Sequence, residues 1–257
     1  MSVASLIERV VKNDRAIVIA ALSTVITASW VLLLFGAGTG MSAVGMTSLS
    51  MALGMLDHIP TAMATPVEWT LGYALTMFLM WWTMMVAMML PSAAPMILLH
   101  AKVYRGARTS ETVDFRPSAA FIAGYILAWA VFSALAAGAQ STFERMGVLS
   151  PMMMNATSSL FAALVLLFAG AYQLSPLKGA CLRHCRGPIQ FLSLHWRPGT
   201  SGALRMGLHH GVYCLGCCWG LMAILFFGGI MNLYWIIGLA VLVLLEKRCR
   251  SDQSCPG

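Results

Sequence analysis

The chain has 257 residues, of which 59% are hydrophobic and only 10% charged, with 16 Lys and Arg against 9 Asp and Glu. A soluble globular domain carries roughly 25% charged residues, so this composition excludes one. The net charge of +7 raises nucleic acid as a partner, but the basic residues are confined to segments between apolar runs, which is how topology charges are distributed, so no nucleic acid is expected.

Apolar runs of about 20 residues mark membrane spans. Six are expected, at 16–35, 67–90, 117–139, 156–174, 202–228 and 231–246, in a single integral membrane domain covering 1–257. The predicted fold is an all-α polytopic transmembrane helix bundle. The first span follows Arg9, Lys12 and Arg15; its length and the poor cleavage site at Gly36-Ala37-Gly38 argue for a retained helix over a signal peptide. A loop of Gly, Ser, Met and Ala follows, with Met41, Met46, Met51, Met55, Asp57, His58 and Met63, part of it expected as a helix along the membrane surface. The second span is expected to stop at Pro91 and Pro95, with His100 beyond it at the interface and Glu68 solvated at its start.

The third span opens on Pro117, where a missing N–H costs little. The fourth stops at Ser175-Pro176. The last apolar block is too long for one helix, and Gly228-Gly229 and Asn232 divide it. Nearly every Lys and Arg falls in the N-terminal segment, the loop Pro91 to Arg116, the loop Ser175 to Ser201 and the tail; Arg145 alone lies opposite. The positive-inside rule therefore makes both termini cytoplasmic.

The chemistry-bearing stretch is His209-His210-Gly-Val-Tyr-Cys214-Leu-Gly-Cys217-Cys218 in the fifth span. At about 100° per residue, His210, Cys214 and Cys217 lie within roughly 60° of one another; Cys218 sits at the margin and His209 points away. Buried Cys commonly packs as a small hydrophobe, yet three Cys and two His in ten residues at membrane depth favour function. Imidazole and thiolate suit copper(I) or zinc, with sulfur favouring copper. Cys181, His184 and Cys185, spaced for one helix face among Lys178, Arg183 and Arg186, form a second ligand set, though two thiols in a reducing loop need no role. On the second span Met77, Met84, Met88 and, slightly offset, Met80 fall along one face. Such a stripe is ordinarily packing; facing the cysteines, Met84 and Met88 become thioether ligands for copper(I). Glu246-Lys247 reads as an interfacial pair, and Cys249 and Cys255 as bystanders or, less favoured, acylation sites.

Three stretches, Trp81 to Pro95 (WWTMMVAMMLPSAAP), Tyr172 to Pro188 (YQLSPLKGACLRHCRGP) and Gly207 to Met222 (GLHHGVYCLGCCWGLM), resemble a bacterial family of predicted metal-binding integral membrane proteins, catalogued as domain of unknown function 2182. The resemblance implies a membrane fold, a metal and a link to particulate, copper-dependent monooxygenases. The first 65 residues carry no part of it. The expected function is that of a copper-binding bacterial inner-membrane protein relaying a soft ion through a His/Cys/Met site, with a membrane oxidase or monooxygenase as client. Two alternatives stand beside it: a thiol–disulfide oxidoreductase using Cys214 and Cys217, and a non-catalytic assembly subunit.

Overall fold

The computed structural model describes residues 3–54, 68–106 and 114–248. Met55, Asp57, His58, Met63, Cys249 and Cys255 lie outside the described residues. The described chain is helical, its one β contact being an isolated bridge between Leu149 and Ala156. Helix α1 spans Val3–Leu34, α2 Ala43–Gly54, α3 Leu71–Gly106, α4 Arg116–Arg145 and α5 Ser159–Gln173; α6 spans Pro176–Arg186, α7 Pro188–His195, α8 Gly199–Ala223, α9 Leu225–Gly228 and α10 Leu233–Arg248.

Four helical stretches are long and apolar enough to cross a membrane: Arg15–Leu34, Leu71–Gly106, Arg116–Arg145 and Gly199–Gly228. A fifth arises if α5 and α6, bent by 61° at Ser175, are one broken span. The sixth expected span corresponds to α10, whose 16 residues fall short of that test. Leu71, Leu160, Leu167 and Ile189 each expose more than two thirds of their surface. Large apolar side chains standing outside a packed core call for an apolar surrounding or a partner.

Local chemistry sets the helix ends. Pro117 occupies the first turn of α4 as expected. Ser158 caps α5 by accepting the Phe161 N–H, and Ser175 caps α6 by accepting the Lys178 N–H, with Pro176 next in line. A side-chain oxygen there satisfies an orphan donor of the first turn. The tight turn expected near Gly228-Gly229 lies between α9 and α10, with Gly229 at φ 95°, a left-handed conformation open to glycine. α2 does more than lie along a surface: Thr47 Oγ1 accepts the Leu233 N–H at 3.0 Å, so α2 caps the start of α10.

The largest departure is in α3. The prolines were expected to end the second span, but the helix runs through Pro91 and Pro95 to Gly106. Each proline removes one backbone hydrogen bond, to Ala87 and to Pro91 respectively. Beside this break the Met89 carbonyl accepts Ser92 Oγ at 2.7 Å and Tyr125 Oη at 3.1 Å. Neither bond reaches the Ala87 or Pro91 carbonyl, and the helix continues past the prolines with Leu90, Ala93, Met96 and Ile97 buried. His100 is consequently fully buried, stacked on Phe121 at 4.7 Å, and is not an interfacial histidine.

Candidate metal centre

Helix α8 is held against α4 by small residues. A Cβ on Gly207 would stand 2.0 Å from the Phe121 carbonyl oxygen, and one on Gly124 would stand 2.2 Å from that of Leu204. One on Gly211 would stand 2.6 Å from the Ala128 Cβ. Backbones in such contact follow the small-xxx-small pattern of tightly packed membrane helices. The seam brings Tyr125 of α4 to Cys214 of α8, hydroxyl to sulfur, at 3.1 Å.

Helical phase placed His210, Cys214 and Cys217 on one face, and all three are buried, as are Cys218 and Met206. His209 is exposed, its ring 6.0 Å from that of His195. His210 has an Nδ1 without a hydrogen-bond partner. Cys217 and Cys218 turn their thiols back to the Cys214 carbonyl, at 3.0 and 2.8 Å.

The second cysteine cluster packs on the first. Cys185 Sγ of α6 lies 3.9 Å from Cys217 Sγ. Cys181 fits against Gly216, where a Cβ would stand 2.7 Å from its sulfur. His184 turns aside and stacks on Tyr213, centroids 4.1 Å apart, with Nδ1 on the Ala180 carbonyl. The five described cysteines are free thiols.

Met84 and Met88 are buried on α3. The thioether found at the cysteines is Met89, with Sδ 3.9 Å from Cys218 Sγ. Met89 lies about 100° from Met88 around the helix and shares its face with Met85, Ser92 and Met96. The Met77 sulfur instead accepts Gln140 Nε2 of α4 at 3.5 Å.

Sequence reasoning missed Lys247. It is not paired with Glu246. Glu246 binds Lys178 at 2.6 Å, contacts Gln173, and through its backbone carbonyl accepts Arg186 Nε at 2.7 Å, so it fastens α10 to α5 and α6. Lys247 sends its ammonium inward, 2.9 Å from Cys214 Sγ and 2.8 Å from Ser92 Oγ. A ring of contacts thus closes through Lys247, Ser92, the Met89 carbonyl, Tyr125 and Cys214. A lysine ending an apolar helix is indistinguishable, in sequence, from a topology charge. Beside the ring is a cavity of about 120 Å³ lined by Met96, Cys185, His210 and Lys247, with Arg186 and the exposed Arg248 also at its wall.

Among the described residues, no three His, Cys, Asp or Glu side chains stand as a group able to hold a metal ion. Each thiol of α8 is already engaged: Cys214 with Lys247 and Tyr125, Cys217 and Cys218 with a carbonyl. The neighbourhood is nevertheless soft, with four thiols and a thioether arranged by α3, α6 and α8.

A family model described as a copper chaperone matches residues 78–255. The chain belongs to that family. The match takes in most of α3, all of α4 to α10 and every candidate ligand among them, and begins after the N-terminal part that carries no motif. No curated protein and no solved structure matches the chain. For a copper-chaperone family the donor types fit, because thiolates and thioethers select copper(I) over harder ions.

Proposed function

We propose that this chaperone is a multi-pass protein of the bacterial inner membrane that holds copper(I) between α6 and α8. Cys185 and Cys217 grip the ion, with Cys214 joining them; Cys218, Met89 and His210 complete or hand on the site. The observation that carries this reading is the 3.9 Å approach of Cys185 to Cys217. Two thiolates on one tetrahedral ion at about 2.3 Å sit roughly 3.8 Å apart. Loading requires that Cys217 rotate its thiol away from the Cys214 carbonyl, that Cys214 turn from Lys247 and Tyr125 as it joins, and that the bound thiols release their protons.

In this reading Cys181 and His184 lie on the delivery side, and the cavity by Arg186 and Arg248 is the port. Met84 and Met88 support the Met89 face, and His209 is a peripheral ligand at most. The spans are α1, α3, α4, α5, α8 with α9, and α10, with α6 and α7 in the basic segment 175–201, and the distribution of Lys and Arg favours both termini on the cytoplasmic side. The client is a copper-dependent membrane oxidase or monooxygenase. Zinc is the competing cargo, disfavoured by the thioether.

Metal analysis tests the proposal. Full-length protein purified in detergent and loaded with copper(I) should retain about one equivalent, and Cys214→Ser and Cys217→Ser should each lose most of it. Copper at background in the wild type, or unchanged in both variants, overturns it.

A further inference from the structure

Lys247 is an unusual neighbour for a cation site. Its stem is half-buried, and its ammonium is held by Ser92 Oγ at 2.8 Å and Cys214 Sγ at 2.9 Å. The same residue lines the cavity together with Cys185, His210 and Met96. An ion entering among these thiols comes within a few ångströms of a fixed positive charge.

We propose that Lys247 is the specificity-determining residue of the site, a built-in cation that favours singly charged soft ions over doubly charged ones. The inference rests on the proposed thiol site. The repulsion between Lys247 and an incoming ion scales with the ion's charge, so a divalent ion meets twice the penalty of a monovalent one. The ammonium stands within a few ångströms of the thiols, well inside a Debye length, so salt screens the interaction little. The result does not depend on how many thiolates bind. Thiol protons displaced by either ion go to bulk water, and where both ions use the same thiols this competition cancels in the ratio of affinities. Ser92 keeps the ammonium at this depth, and the Glu246 clamp to Lys178 and Arg186 fixes the end of α10 that carries it.

The test is competition between silver(I), a redox-inert stand-in for copper(I), and zinc(II) on full-length protein in detergent. Three forms are compared: wild type, Lys247→Met and Lys247→Arg. Lys247→Met should lower the silver-to-zinc affinity ratio by about tenfold or more; Lys247→Arg, which keeps the charge, should stay within about threefold of wild type. If Lys247→Met does not fold, Lys247→Gln carries the same expectation. A neutral variant that binds with an unchanged ratio overturns the inference, as does a Lys247→Arg protein that loses the preference as fully as the neutral one. Failure of the underlying site reads differently: wild type would then bind neither silver nor copper.

Discussion

Gly216 has no side chain, and Cys181 of α6 occupies the space one would fill, its sulfur 2.7 Å from where a Cβ would stand. Alanine there forces the thiol to rotate or α6 to withdraw. Overpacking of this kind costs about 1–3 kcal/mol, against a helix-propensity gain of about 1 kcal/mol for Gly→Ala. Gly216→Ala should therefore lower thermal stability and the yield of Cys185–Cys217 crosslinking by a short thiol-specific bridge. Adding Cys181→Ala should restore both, since the second change removes the clashing sulfur. Equal losses in single and double variants would show that the contact is not the cause. At this scale much was legible. The 100° phase put His210, Cys214 and Cys217 together and His209 apart, because one helix sets those angles without help from its neighbours. The same rule could not choose among Met84, Met85, Met88 and Met89, which together spread over about 140° of the circumference of α3.

Between elements, the α4–α8 seam decides whether the site exists. Gly207 is its tightest point, 2.0 Å from a carbonyl oxygen if given a Cβ. A backbone atom cannot rotate out of the way as a side chain can. Gly207→Ala should reach or exceed the upper end of the overpacking cost of about 1–3 kcal/mol, outweighing the propensity gain of about 1 kcal/mol. It should also pull Tyr125 from Cys214, reducing copper retention, whereas Gly138→Ala on α4, with open space around its Cβ, should leave both unchanged. Thermal unfolding with metal analysis of the two variants checks this. The prolines of α3 belong to the same scale. Local rules end a helix at Pro91, yet α3 continues, buried along this stretch, with Ser92 of the same helix and Tyr125 of α4 bonding the Met89 carbonyl beside the break.

Across the whole molecule, residues of α3, α4, α6, α8 and α10 meet at one place. An ion bound there ties five elements that are distant in the chain. Ligand binding to the folded state alone adds about 2.7 kcal/mol at a hundredfold excess over Kd. Copper(I) or silver(I) should thus raise the unfolding temperature of the wild type by several degrees, and a copper(I) chelator should reverse the shift. The Cys214→Ser protein should show little shift. A rise of the same size in that variant would place the stabilising ion elsewhere.

The sequence by itself determined the helical class, the apolar character, the distribution of Lys and Arg, and which His and Cys share the buried face of α8. Each depends on composition or on the period of a single helix, and so is written locally. The tertiary structure decided which cysteines meet, that Met89 joins them, that His100 is buried, and that Lys247 points inward to Cys214. These depend on how far one helix approaches another and at what rotation. Those quantities are set by glycines that admit a backbone and by carbonyls that need donors, and they appear only when the helices are packed.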